Sequence, residues 1–218
     1  MSKIVLALSG GLDSTTLLSR CLDEGREVLA VHFQYGSTHN PWEKEAVGAI
    51  LRRYEINCRV VDLSALFVGL KSSLMGACPI PEGHYEAESM RSTVVPGRNL
   101  IFASVLASIA EATEADAVGL GVHAGDHHIY SDCRPDFVSA LSQVIRESTE
   151  GKVAVYAPFL HVAKADIVRE GLRLETPYAL ARTCYKAQAT PCGVCGSCRE
   201  RLEAFELNGV KDPVDYDE

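Results

Sequence analysis

The strongest constraint on the fold lies at the start of the chain. The apolar run Ile4-Val5-Leu6-Ala7-Leu8 leads directly into Ser9-Gly10-Gly11-Leu12-Asp13-Ser14, and an amphipathic segment, Thr15 to Asp23, follows. That order reads as strand, glycine turn, helix. Two adjacent glycines let backbone N–H groups close around an anion with no Cβ in the way. The helix adds its own free N–H groups and the positive end of its dipole. Asp13, Ser14, Thr15 and Thr16 suit a first helical turn, and the three hydroxyls are potential donors to phosphate oxygens. In this context the string is a phosphate cradle.

The alternation continues along the chain. Strand-like runs recur at Ile4–Leu8, Val28–Phe33, Cys58–Leu63, Ala117–Val122 and Val153–Tyr156. Helical patterns lie at about Ser14–Glu24, Trp42–Tyr54, Arg98–Ala112, Pro135–Ser148 and Lys164–Gly171. Strands separated by helices of this length predict an α/β fold with a doubly wound, mainly parallel, five-stranded sheet. Right-handed crossovers put helices on both faces. Ligands of such sheets bind beyond the carboxyl ends of the strands, where Ser9 to Ser14 must lie. The stretch 69–97, with Pro79, Pro81 and Gly83, is long enough for a lid or substrate loop. Residues 1–180 read as one α/β domain, and 181–218 as a metal-binding C-terminal segment packed on it. The last ten residues are acidic and are expected to pack weakly or dock only through Tyr216.

Composition narrows the class of partner. The 218 residues carry a net charge of −8, an unfavourable balance for electrostatic nucleic-acid binding. The early apolar run is too short for a signal segment, and nothing approaches a membrane span. A cytoplasmic protein acting on small molecules is expected, with neither nucleic acid nor membrane as partner.

Eight cysteines in such a chain do not read as disulfides. Cys21, Cys58, Cys78 and Cys133 are scattered, whereas Cys184, Cys192, Cys195 and Cys198 fall within fifteen residues. Four soft thiolates at this spacing can surround one tetrahedral ion, and zinc is the metal expected. An iron–sulfur cluster is the alternative. With no open coordination position the metal is structural. Structural zinc contributes about 10–16 kcal/mol in small modules, as much as a whole domain's stability of ~5–15 kcal/mol. The segment should therefore be disordered without its metal.

The chemistry of the phosphate cradle follows from what it lacks. A Walker loop needs Gly-x-x-x-x-Gly-Lys-Ser/Thr, and no such string occurs. Ser-Gly-Gly-x-Asp-Ser resembles instead the loop of the N-type ATP pyrophosphatases, with their adenine nucleotide alpha hydrolase-like fold. That resemblance implies attack at the α-phosphorus and transfer of AMP to a substrate oxygen. Downstream come Ile80-Pro81-Glu82-Gly83-His84-Tyr85, Val95-Pro96-Gly97-Arg98-Asn99, Asp132-Cys133-Arg134-Pro135 and the four cysteines. In this order, from residue 3 to about 216, the strings resemble the 7-cyano-7-deazaguanine (preQ0) synthase family of queuosine biosynthesis. The resemblance implies conversion of 7-carboxy-7-deazaguanine, ammonia and ATP to the nitrile through the amide. It also implies Mg2+, a structural Zn2+ and a homodimer. Two departures occur: Tyr35-Gly36-Ser37-Thr38-His39 where the family usually has Tyr-Gly-Gln-x-His, and Tyr130-Ser131 where it tends to have Tyr-Pro.

Roles for single residues follow from the resemblance and from side-chain chemistry. The nucleotide segment comprises Leu8, Ser9, Gly10, Gly11, Leu12, Asp13, Ser14, Thr15, Thr16, Leu17 and Leu18. Its donors hold the phosphates as charge moves to pyrophosphate. Asp13 is a candidate magnesium ligand or, more plainly, a helix-start acid. Arg98 and Asn99 are candidates for polar contacts with ATP or substrate. Lys164 resembles a lysine placed near the pyrophosphate, and a solvated helix-start lysine is the competing reading. Glu82, His84 and Tyr85 sit in the long loop, His84 as a candidate proton carrier. Asp132 matches the guanine edge and Arg134 a carboxylate, while Cys133 reads as a packed small side chain. Competing functions are another adenylating enzyme of the superfamily, for tRNA thiolation or amide formation, and a non-catalytic zinc-knuckle binding module.

Overall fold

The computed structural model describes residues 2–217; Met1 and Glu218, the outer ends of the two segments delimited above, lie outside them. Five strands, β1 (Lys3–Ala7), β2 (Glu27–Gln34), β3 (Cys58–Asp62), β4 (Ala117–Gly119) and β5 (Ala154–Tyr156), form one sheet in the order β3-β2-β1-β4-β5. Every pairing is parallel. Six α-helices accompany them: α1 (Leu12–Asp23), α2 (Asn40–Tyr54), α3 (Arg98–Ala112), α4 (Pro135–Ser148), α5 (Lys164–Arg173) and α6 (Gly196–Leu207). The expected α/β architecture is present, with strand order reversing between β1 and β4.

Alternation along β1 divides the core. Ile4, Leu6 and Leu8 pack with Leu17 and Leu18 of α1, Ile50 of α2, Ile167 and Val168 of α5, and Phe205 of α6. Val5 faces the opposite layer with Val31, Phe33, Leu106 of α3 and Leu141 of α4. A period of two residues thus assigns α1, α2, α5 and α6 to one side and α3 and α4 to the other. Tyr178 ties the first layer together: its hydroxyl lies 2.8 Å from Thr16 Oγ1 and donates to the Ile167 carbonyl at 3.1 Å. Gly171 makes room for this ring, since a Cβ there would lie 1.9 Å from the Tyr178 hydroxyl.

Three elements differ from the sequence expectations. β4 ends at Gly119 rather than Val122, because the chain leaves the sheet there. α6 was not anticipated, since its buried face carries Glu200 and Arg201 and so breaks the apolar period. The tail docks through Asp212 rather than through Tyr216 alone. The buried Asp212 carboxylate accepts from Arg201 Nε at 2.7 Å and Nη2 at 2.8 Å, and from the Tyr216 hydroxyl at 2.6 Å. Arg201 also donates to the carbonyls of Ala181 and Tyr178, so every face of this buried cation is satisfied.

Candidate active site

The carboxyl ends of β1, β2 and β4 open into a cavity of about 230 Å³. It sits at the switch in strand order, where α/β sheets bind ligands. One end is the glycine turn. Gly10 adopts a left-handed φ of +81°, and a Cβ there would lie 3.1 Å from Ala46, Val47 and the Glu43 carbonyl. Its conformation and its surroundings both require glycine. Ser9 Oγ and Ser14 Oγ lie 3.1 Å apart and line the cavity beside Asp13. The first turn of α1 leaves N–H groups without helical acceptors. Thr15 and Thr16 do not add donors, because their hydroxyls are spent on the carbonyls of Gly11 (2.7 Å) and Leu12 (2.9 Å).

Lys164, at the start of α5, enters the cavity beside Asp13. Its Nζ lies 2.9 Å from Asp13 Oδ2 and 3.1 Å from Glu200 Oε2 of α6. Burial works against the Lys164 charge, but the two carboxylates outweigh it and drive its pKa up. Burial would raise Asp13 as well, yet Lys164 and His123 hold its carboxyl below the ordinary value. Glu200 is pushed up by burial, which prevails over the pull of Lys164. His123 Nδ1 accepts from Gly125 N at 3.1 Å, which leaves the N–H at Nε2. That nitrogen faces Asp126 at 3.4 Å, Asp13 at 3.9 Å and Glu200 at 4.0 Å. Asp13 Oδ1 is buried without a hydrogen-bond partner, which fits an oxygen-seeking cation better than a purely structural acid.

The opposite end has another character. Arg98, on the first turn of α3, comes from the other helical layer and shares the wall with Tyr35, Phe102, Tyr130 and Tyr185. Asn99 N donates to Asp132 Oδ2 at 3.2 Å, and Asn99 Nδ2 to the Asp132 carbonyl at 3.1 Å. Cys133 is buried, receives an N–H from Asn99 at 3.3 Å and is driven up in pKa by burial, as a packed thiol rather than a nucleophile.

The four C-terminal cysteines converge, with one sulfur from each lying within 4.8 Å of the others. Cys195 caps α6 and Cys198 lies in its first turn. Backbone N–H groups of Cys192 and Cys195 donate to the sulfurs of Cys184 and Cys192 at 3.4 and 3.3 Å. Hydrogen bonds from Cys195 and Cys198 pull the Cys184 thiol well below its usual range, while the Cys195 thiol is pushed up to about 12. A four-sulfur set fits a tetrahedral soft cation. The cluster also braces the cavity. Arg182 N donates to the Gly10 carbonyl at 2.8 Å, Tyr185 follows Cys184 into the wall, and α6 supplies Ser197 and Glu200.

Of the residues singled out in the sequence, Leu8, Ser9, Asp13, Ser14, Tyr85, Arg98, Asn99 and Lys164 line the cavity. Gly10, Gly11, Leu12, Thr15, Thr16, Leu17 and Leu18 shape or support the turn from behind. Glu82 lies outside the wall: it pairs with Lys186 at 2.6 Å, and its backbone bridges Cys195. His84 is exposed, stacks on Tyr85 with ring centres 4.3 Å apart and accepts the Glu86 N–H. Asp132 is held behind Asn99, and Arg134 Nε donates outward to the His127 carbonyl at 2.8 Å. Sequence reasoning missed His123, Asp126, Glu200 and Tyr185. The only cue for Glu200 and Tyr185 was their position beside Cys198 and Cys184.

Sheet order, glycine turn and cavity define an α/β protein with a doubly wound parallel sheet and its site at the carboxyl ends of the strands. The same overall fold occurs in the NMN synthetase of Francisella tularensis, with a TM-score of 0.54 at 13% identity over 95% of this chain and 77% of that one. The family model for queuosine biosynthesis protein QueC matches residues 3–209, and the chain belongs to that family. It is 44% identical over 216 residues to 7-cyano-7-deazaguanine synthase 1 of Colwellia psychrerythraea, covering 99% of each chain. It is 43% identical to the 7-cyano-7-deazaguanine synthase of a Marinomonas species, covering 99% of this chain and 98% of the relative. No helix among the described residues is long and apolar enough to cross a membrane.

Proposed function

We propose that this chain is an ATP-dependent carbon–nitrogen ligase that converts 7-carboxy-7-deazaguanine and ammonia into 7-cyano-7-deazaguanine. Relatives of that name match it over its whole length. The observation that carries the reading is the single cavity joining a phosphate turn to an arginine-bearing aromatic wall. A carboxylate is a poor electrophile because its leaving group is oxide. Attack of a carboxylate oxygen on the α-phosphorus of ATP expels pyrophosphate and leaves an acyl adenylate. Ammonia adds at the acyl carbon, AMP departs and a proton is lost, giving the amide. The amide oxygen then attacks the α-phosphorus of a second ATP and expels a second pyrophosphate, and loss of AMP with the two N–H protons gives the nitrile.

Each step needs charge stabilised at phosphate. The α1 N–H groups, Ser9, Ser14 and Lys164 stand where pyrophosphate accumulates charge, fixed before the reaction begins. We assign Asp13 Oδ1 to Mg2+, which neutralises the pyrophosphate when bound. Cys184, Cys192, Cys195 and Cys198 are assigned to a structural Zn2+ that fixes Tyr185 and α6. Residues 181–218 then act as a metal-dependent appendage of the domain formed by 1–180. A cytosolic homodimer fed by free ammonia or a separate donor completes the proposal, on the strength of the family resemblance.

Incubation with the carboxylated base, ammonium, ATP and Mg2+, followed by mass spectrometry, tests the reaction. The expected result is transient amide, then nitrile, with two AMP released per nitrile. Neither product appearing would remove the substrate assignment, and ADP in place of AMP would remove the adenylation step.

A further inference from the structure

Arg98 presents a guanidinium to the cavity with no acidic partner. Its side chain makes one hydrogen bond among the described residues, from Nη1 to the Tyr35 hydroxyl at 3.5 Å, and its Cζ stands 5.8 Å from that ring's centre. Among the described residues no carboxylate lies within 4 Å of it, although Lys164 in the same cavity holds two. Its nearest neighbours are phenols; the buried Glu43 carboxylate, on the same cavity wall, is engaged with His39 at 3.5 Å and feels the Arg98 charge only at longer range. Burial raises Tyr35 and Tyr130, and Tyr130 together with burial raises Tyr185, so all three stay protonated; the Tyr130 hydroxyl donates to Thr93 Oγ1 at 2.6 Å, which leaves Tyr35 and Tyr185 to donate. An unpaired cation among protonated phenols is costly to bury. It makes sense where a ligand delivers the missing anion.

The fold indicates which anion. Ser9, Ser14 and Lys164 belong to the layer of α1 and α5, whereas Arg98 descends from α3 on the other side of the sheet. A triphosphate seated on the turn faces α1. The Arg98 end is walled by Phe102, Ile129 and the phenols, which suit a flat heteroaromatic ring bearing one compact anionic group. Resting on the function proposed above, we infer that Arg98 is the anchor for the substrate's carboxylate, with the Tyr35 and Tyr185 hydroxyls as secondary donors. An arginine fork grips both carboxylate oxygens, and reaction at one of them leaves the other to hold the acyl group in place. Arg134, the sequence-level candidate for this contact, points away from the cavity.

The inference separates the two half-reactions. The starting acid is an anion and the intermediate amide is neutral, so loss of the Arg98 charge must penalise the first far more than the second. Arg98→Gln and Arg98→Lys would be compared with the wild type, with folding checked by circular dichroism. Dissociation constants for acid and amide would be measured by calorimetry in the presence of Mg2+ and α,β-methylene ATP. In Arg98→Gln, affinity for the acid should fall on the order of a hundredfold, with that for the amide changing by less than about threefold. Arg98→Lys should recover part of the acid affinity, because it restores charge without the fork. Equal losses for acid and amide, a loss confined to the ATP analogue, or no loss would each overturn the anchor. Acid bound through Arg98 by a wild-type enzyme that forms no nitrile would leave the anchor standing and remove the proposed reaction. Failure of the wild type to bind the acid would overturn the anchor itself.

Discussion

The cavity contains two cations in opposite circumstances. Lys164 is enclosed by Asp13 and Glu200 at 2.9 and 3.1 Å, with His123 and Asp126 beyond them. Among the described residues, the one hydrogen bond of the Arg98 side chain goes to a phenol, and no carboxylate lies within 4 Å of it. Lys164 is therefore part of the folded protein's own charge balance, present and oriented whether or not nucleotide is bound. Arg98 completes no internal pair and gains its partner only from a ligand. The difference separates a group preorganised for charge that develops during reaction from one that recognises charge already on the substrate. It also separates residues that stabilise the fold from one that strains it, as functional sites commonly do.

The largest effect that bears on this contrast comes from the cysteine cluster, because it supports both ends of the cavity. Replacing Cys195 with Ser should abolish metal binding and most folded protein, given the ~10–16 kcal/mol contributed by structural zinc in small modules. Metal content and thermal melting of the purified variant check this, and full activity without metal would end the structural role. Next, Lys164→Met leaves Asp13 and Glu200 buried without their cation and should destabilise the protein by about 3–5 kcal/mol in denaturant melts. The same variant alters the acid response. Asp13 has a lowered folded pKa, so its contribution is full above the unfolded value of about 3.9 and drains away as pH falls through the folded one. Without Lys164 that acid-side loss of stability below about pH 4 should shrink. The smallest effect is expected for Arg98→Gln, which removes a buried cation lacking a counter-charge. Its stability should stay within about 1 kcal/mol of wild type or rise. A loss like that of Lys164→Met would erase the distinction between the two.

What the sequence revealed follows the range of each interaction. The phosphate turn was legible because strand, glycines and helix start are consecutive, and local rules govern each. The cysteine cluster was legible for a similar reason: few functions other than metal binding place four thiols within fifteen residues. The alternation of strands with helices predicted the parallel sheet, and buried β1 carries an unbroken apolar run while β2 is interrupted only by His32. The aromatic wall was not visible, because Tyr35, Arg98, Tyr130 and Tyr185 meet only after the chain has crossed the sheet. Nor was α6, whose inward face holds Glu200 and Arg201 against Lys164 and Asp212 and so hides an ordinary helix from any apolar count. The long loop suggested a substrate-binding role for Glu82 and a proton-carrying one for His84. The loop serves the cavity through Tyr85 and Met90, while Glu82 ties it to the cysteine segment.

The central claim is that the substrate's own oxygens leave on AMP, and an isotope tracer reads this directly. The carboxylated base, with both carboxylate oxygens labelled as 18O, would be converted in the presence of ammonium, ATP and Mg2+. The released nucleotides and phosphates would then be examined by mass spectrometry. The account predicts one 18O in each AMP, one from the acyl step and one from the dehydration, with none in inorganic phosphate or pyrophosphate. Label in inorganic phosphate, or unlabelled AMP accompanying nitrile, would contradict it.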